Sequence, residues 1–430
     1  MKKAVCFMLL LCAAGWLRAA DAPRRLTLRE AEDIALAQHP RISVANLQAL
    51  AAQQSVKQAR APFFPNIYAS ATAVGVADTD NTRIAAGYLN NPNVFERNAE
   101  GITIAQLITD FGRTSELSRS ANLRARAEEM NREATREEIL LEVNAAYFSA
   151  LQSQSVLAAA RQTENERQVV LRQIQTLASI AKTRSDLDVS FASVNLDQAR
   201  LLVAKASNDL QSSFANLSTV LGERQAESFD LAEEPMPELV TNSATDLIFQ
   251  ALGNRPDLAR TRYQRDAAKE FARAENKLSY PTISAIASGG LIPLGDSRLG
   301  DNYGAAGVNL NFPLFTGGLY KARQREAELH ADAADQTVRD QENTIARDTQ
   351  ISKLNLDYAF ARLALTASLL QNANTALVLA QARFRADLSS IVELSQAELN
   401  QTSAQIEEAG ARYDCHIQRA ALDFQTGRLH

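Results

Sequence analysis

Cysteine is nearly missing: the 430 residues hold three, two of them within the first twelve, so no disulfide framework is available. Four scattered histidines leave little material for a metal centre or a His-based catalytic site. Aromatic residues make up 6%, and 17 glycines and 11 prolines are thinly spread. An excess of positive charge is also missing. With 45 basic against 50 acidic residues the net charge is −5, so nothing electrostatic favours a nucleic-acid partner. Beyond the N-terminus no stretch offers 18 consecutive apolar residues, and no transmembrane helix is expected. Neither a Gly-rich phosphate loop nor a Ser/His/Asp set occurs. Glu128-Glu129 and Glu407-Glu408 are adjacent carboxylates that point apart on a helix, and Cys415-His416 lacks the second half of a ligand set. No catalytic residue, metal site or cofactor is expected, and the chain is not read as an enzyme.

What is present begins with an export signal. Met1-Lys2-Lys3 precedes an apolar run from Ala4 to about Leu17, followed by Arg18-Ala19-Ala20-Asp21. A basic start, an apolar stretch and small residues at its end describe a secretory signal peptide over residues 1–20. Lipidation at Cys12 is not expected, because Leu9-Leu10-Leu11 precedes it where a small residue is needed. The mature chain would keep Cys415 alone, which suits an oxidising compartment.

The chain repeats itself. Ala35-Leu36 and Pro40 match Ala251-Leu252 and Pro256, a shift of 216, and Pro65 matches Pro281 at the same shift. Gly101 and Gly112 pair with Gly307 and Gly318 at 206; Ala192, Asn195, Leu217 and Gly222 pair with Ala397, Asn400, Leu422 and Gly427 at 205. The expected division is a first copy over 21–222, a Glu- and Pro-rich linker over 223–243, and a second copy over 244–430.

Each copy has one plan. Thr27 with Glu30 has capping-box spacing for a short helix ending before Pro40, and a second helix is expected over about 41–61; the counterparts are 245–254 and 257–279. Alternating segments then predict strands over about 66–76 and 101–110, and over about 282–292 and 306–315. Loops rich in Asn, Asp and Gly, Ala77–Glu100 and Pro293–Tyr303, join them. From Arg113 to Leu221, and again from Leu319 to Ala409, the chain has no Gly and no Pro and is rich in Ala, Leu, Gln, Glu and Arg. Unbroken, the first would exceed roughly 160 Å, so a reversal is expected at Lys182-Thr183-Arg184-Ser185-Asp186 and at Asp387-Leu388-Ser389-Ser390. Helical hairpins over 113–222 and 319–427 result.

Strands of about ten residues with one apolar face have the length that crosses a bilayer, where no strand edge can stay unpaired. Four strands cannot close a barrel. Two chains would give eight strands and a filled interior, and three give twelve and room for a lumen. Phe63, Phe64, Phe111, Tyr280, Phe312, Phe315 and Tyr320 cluster where strands meet helices, the place for an interfacial girdle. The competing reading is a small soluble sheet capping a helical domain.

Leu28-x-x-Ala31-x-x-x-Ala35-Leu36-x-x-x-Pro40, Ala61-x-x-x-Pro65, Leu107-Ile108-Thr109-Asp110-Phe111-Gly112 and Pro313-Leu314-Phe315-Thr316-Gly317-Gly318 together resemble the TolC family of outer-membrane channel proteins. The resemblance spans essentially the whole mature chain. It implies a mainly α fold with a small β part: a homotrimer with a 12-strand barrel in the outer-membrane lipid, continued by a 12-helix periplasmic α-barrel. It also implies a periplasmic adaptor and an inner-membrane transporter as partners. Small-molecule efflux leads as the function, with the outer-membrane channel of a type I protein secretion system as the alternative. A periplasmic coiled-coil adaptor or scaffold is the rival from another class, but it lacks duplicated strand hairpins with an aromatic rim. By the same resemblance Ile391–Ala397 looks like the gate segment, with Glu393 and Gln396 at the two ring positions. Many members place Val-Gly at each adaptor-docking tip; here Ala181-Lys182 and Ala386-Asp387 stand there. Lys182, Thr183, Arg184, Ser185, Asp387, Leu388 and Ser389 are the expected tip residues.

Overall fold

The computed structural model describes residues 24–74, 84–86, 89–91, 97–181, 185–225, 227–294, 301–386 and 388–429. The expected signal peptide, and tip residues Lys182, Thr183, Arg184 and Asp387, lie outside the described residues. In chain order the elements are β1 (Arg24–Leu26), α1 (Leu28–Gln38), α2 (Pro40–Arg60), β2 (Asn66–Val74), β3 (Ile84–Ala86), β4 (Leu89–Asn91) and β5 (Arg97–Thr109). Next come α3 (Arg113–Thr176), α4 (Asp186–Leu221), β6 (Phe229–Leu231), α5 (Ala244–Asn254), α6 (Pro256–Asn276), β7 (Thr282–Leu294), β8 (Asn302–Asn311), α7 (Leu319–Arg385) and α8 (Ile391–Gln425). One π-helical turn, Leu177–Ala181, follows α3.

Local chemistry sets these boundaries. Thr27 and Glu30 close the capping box of α1, and Ser185 with Asp188 closes that of α4. Ser243 and Ser390 cap α5 and α8. Pro40 and Pro256 stand first in α2 and α6, where a missing N–H costs nothing. The second-copy strand expected at 306–315 instead runs from 302 to 311, because Pro313 has no N–H for the ladder and Tyr303 joins at the other end. The long first-copy loop also holds a short antiparallel pair, β3 with β4.

Two compact units share the long helices: residues 1–43, 134–255 and 344–430 form one, and 44–133 and 256–343 the other. In the second of these, an antiparallel sheet has the order β2-β5-β7-β8. Its helices repeat that order as α2-α3-α6-α7. Arg60 Nε donates to Ser118 Oγ (3.4 Å), Ser120 Oγ to Ala267 O (2.8 Å), and Lys269 Nζ to Asp335 Oδ1 (2.8 Å).

In the other unit the helix order is α4-α3-α8-α7. The Ser153 and Ser213 hydroxyls lie 2.9 Å apart, those of Thr163 and Thr402 3.1 Å, and Arg362 pairs with Asp414 at 3.5 Å. The supposed linker is not a free connector, because β6 pairs in parallel with β1. The fully buried Tyr147 hydroxyl ties them together at Leu26 O (3.0 Å) and Ala232 O (2.8 Å). Three-residue strands carry no periodicity, which is why the sequence did not mark them.

Candidate functional site

The sheet has two unlike faces. Alternation and register put Ile67, Ala69, Ile102, Ile104, Ile283, Ala285, Ala287, Val308 and Leu310 on one. The other carries Tyr68, Ser70, Thr72, Thr103, Ser284, Ser288, Tyr303 and Asn309, with Thr103 Oγ1 and Ser288 Oγ 3.1 Å apart. On this second face Tyr303 lies across Gly101 and Gly290. A Cβ on Gly290 would come within 2.1 Å of Glu100 O and 2.7 Å of the Tyr303 ring, and one on Gly101 within 2.1 Å of the Tyr303 hydroxyl. The glycines make the recess in which the ring rests. Among the described residues β2 and β8 end the sheet with unpaired outer edges.

At the strand–helix boundary Asp110 caps α3, accepting from Gly112 N (3.1 Å), Thr114 N (2.6 Å) and Thr114 Oγ1 (2.5 Å). Phe63, Phe64, Phe111 and Tyr280 are exposed there, the last two in edge-to-face contact at 6.1 Å. Phe312 and Phe315 are also exposed, but beyond the end of β8.

At the far ends of the long helices, Glu393 sits in the first turn of α8. Its Oε1 is 3.3 Å from Arg383 Nε on α7, a partner the sequence did not suggest. Gln396 Nε2 donates to Asn400 Oδ1 (2.9 Å), along the same helix. One turn further the Arg167 guanidinium pairs with Glu398, both buried, joining α3 to α8. Burial pushes Arg167 down to about 10, still charged at neutral pH. Of the expected tip residues, Ser185 caps α4, Leu388 is 70% exposed, and the Ser389 hydroxyl is buried with no hydrogen-bond partner among the described residues. Higher up, His416 is buried and stacks on Phe148 (4.3 Å, 20° between planes), and burial lowers its pKa. Among the described residues no cluster of His, Cys, Asp and Glu could hold a metal ion.

Comparison with known proteins agrees with this geometry. The outer membrane efflux protein family matches residues 32–223 and 247–428. The outer membrane protein TolC of Vibrio cholerae is 25% identical over 363 residues, 80% of this chain and 81% of its own. The pyoverdine export outer membrane protein OpmQ of Pseudomonas aeruginosa is 23% identical over 365 residues, 82% of this chain and 75% of its own. A crystallised membrane protein from Pseudomonas aeruginosa superimposes with a TM-score of 0.81 at 23% identity, covering 93% of both chains. The chain belongs to the outer membrane efflux protein family, and is a TolC-like protein of the outer membrane.

Proposed function

We propose that three copies of this chain close into one outer-membrane exit duct, passing small molecules handed over by a periplasmic adaptor and an inner-membrane pump. The observation that carries this reading is the sheet, apolar on one face, hydroxyl-bearing on the other, and open at both edges. An apolar face suits lipid and a polar one suits a water-filled lumen. Strand directions alternate, so β8 of one copy meets β2 of the next in antiparallel fashion, and three copies give twelve strands without a free edge.

The helices support the same closure. Their exposed apolar stripes fall on the elements that end each row. Leu187, Phe191, Val194 and Leu201 share a face of α4; Ile351, Leu354, Tyr358, Leu365 and Leu369 share a face of α7. Val44, Leu47 and Leu50 are exposed on α2. Packing α7 of one copy against α2 and α4 of the next covers all three. The most apolar window of α7 passes for a membrane span by length and composition, and in this assembly that stripe is interface.

Glu393 and Gln396 then line the constriction, and Arg383 neutralises part of the acidic ring that Glu393 forms. The tips around Ser185, Leu388 and Ser389 dock the adaptor. A small-molecule cargo is favoured by a relative whose name specifies pyoverdine export. A photo-crosslinking residue at Leu388 should trap a periplasmic adaptor in cells. Trapping none while the assembly stays intact would remove these tips as the dock, and purified particles that conduct no ions across a planar bilayer would remove the duct itself.

A further inference from the structure

Arg124, Ala127, Glu128, Gln264 and Ala268 line a cavity of 320 Å³ between α3 and α6, in the unit that carries the sheet. Arg124 and Glu128 stand four residues apart on α3, the spacing at which opposite charges pair along a helix. Here each is held elsewhere. The Arg124 guanidinium lies over the Phe271 ring of α6, 5.7 Å from its centroid. Asn131 Nδ2 donates to Glu128 Oε2 (3.3 Å), and Asn131 Oδ1 accepts from Arg260 Nη1 (2.7 Å). Among the described residues no ion pair engages either charge. A guanidinium and a carboxylate thus face one recess, each with polar atoms to spare.

Which side of the wall the recess occupies follows from chain geometry. On β7 the Ile292 N–H donates to Asp301 O (2.8 Å), so even-numbered residues direct their backbone polar groups toward β8. Ser284 and Ser288 among them have side chains on the hydroxyl-bearing face. For L-residues this fixes the order: seen from that face with β7 running upward, β2, β5, β7 and β8 stand left to right. The helices below keep that order, with α2 to the left of α3 and α6 to its right.

Seen from its N-terminus, α3 turns Ser118 toward α2. Ser120 follows about 200° clockwise, toward α6, and Arg124 and Glu128 at about 240° and about 280°. The first half of that circuit lies beyond the helix, and the second faces the viewer. α6 runs the other way and agrees: Gln264, Ala268 and Phe271 fall on the viewer's side, between Ala267 against α3 and Ala272 against α7. The recess therefore opens on the side that continues the hydroxyl-bearing face of the sheet. Arg124 lies about 16 Å along α3 from its first residue.

We infer that this recess is a transit site for zwitterionic small molecules of the amino-acid type, one per chain on the inner wall of the duct. Arg124 takes the carboxylate in its fork, Glu128 takes the ammonium, and Ala127 and Ala268 receive the apolar body. The recess offers one charge of each sign, so a cargo lacking either leaves a charge of the wall unmatched. The assignment rests on the duct reading, under which the hydroxyl-bearing face borders the lumen, and deepens it by naming a class of cargo.

The test is fluorine NMR of the detergent-extracted particle, titrated separately with para-fluorophenylalanine, its carboxamide and its N-acetyl derivative. The free amino acid should bind up to three per trimer, and each blocked derivative about tenfold more weakly. Arg124→Gln should abolish the preference over the carboxamide, and Glu128→Gln the preference over the N-acetyl derivative. Arg126→Gln, on the opposite side of α3, should change neither. Equal binding of all three probes, or unaltered preferences in the Arg124 and Glu128 variants, would overturn the inference. Position is read with a maleimide on a polymer too large to enter the duct; Cys415 is buried and should not react. The reagent should modify Arg126→Cys and spare Arg124→Cys, and the reverse pattern would overturn the assignment. The site lies within one chain, so a detergent-independent monomer that keeps the preferences sinks the duct. A three-chain particle without them sinks only this inference.

Discussion

The two copies within the chain solve the same two problems differently. At the strand-to-helix turn the first copy uses Asp110-Phe111-Gly112, with Phe111 at φ 57° and Gly112 at φ 90°. The second uses Thr316-Gly317-Gly318, with both glycines left-handed at 61° and 84°. A phenylalanine in that region is strained, and it is kept where its ring meets Tyr280. At the far ends the copies diverge again. Asp188 closes the cap of its own helix, whereas the matching Glu393 turns to Arg383 on α7. The first copy offers Ala178 where Arg383 stands, and Ser193 where Glu398 stands. At this position the first copy spends its acidic residue on its own helix, and the second uses it to link α8 to α7.

That contrast can be broken at several points. The largest effect is expected at the buried pair: Glu398→Gln strands Arg167 without its counter-charge and should cost about 3–5 kcal/mol, read as a fall in melting temperature. Ser193→Ala, its counterpart in the first copy, should be near neutral by the same assay. Gly290→Ala should cost about 1–3 kcal/mol, because the sheet must shift to clear Glu100 O, and the neighbouring Gly289→Ala, with nothing nearer than 3.6 Å, should be milder. Gly317→Ala imposes on the second copy the strain that Phe111 bears in the first, about 1 kcal/mol by thermal melting.

The pH dependence is smaller. His416 is neutral in its stack with Phe148, and its folded pKa lies below the unfolded value. Its contribution is therefore complete above the unfolded pKa of about 6.5 and is lost as pH falls below it. His416→Gln should flatten that part of the stability curve between pH 7 and 5, and an unchanged slope would exclude this histidine as its source. Least of all, Arg383→Ala should alter melting by under about 0.5 kcal/mol, since the pair is half exposed. It should nonetheless raise the preference for cations in single-channel recordings, because Glu393 is then unopposed.

Much of this architecture was legible in the residues. The matched prolines, the alternating strands and the long stretches free of Gly and Pro each obey a local rule. What stayed hidden depends on partners distant in sequence. β1 and β6 are three residues each, and only their pairing and the Tyr147 clamp give them form. Pro313 was visible, but the strand it ends starts at Asn302, earlier than the apolar alternation suggested. Nothing near Glu393 announced Arg383. The recess under Tyr303 needs glycines from two other strands. Periodicity reports which face a residue occupies; it does not report what stands opposite.

The central claim is that four strands per chain are closed by two further copies. Native mass measurement of the detergent-extracted particle tests it most directly. The account predicts a particle of three chains that falls apart or aggregates without detergent. A stable single chain in detergent-free buffer would contradict it, because the open edges of β2 and β8 and the stripes on α4 and α7 would then need no partner.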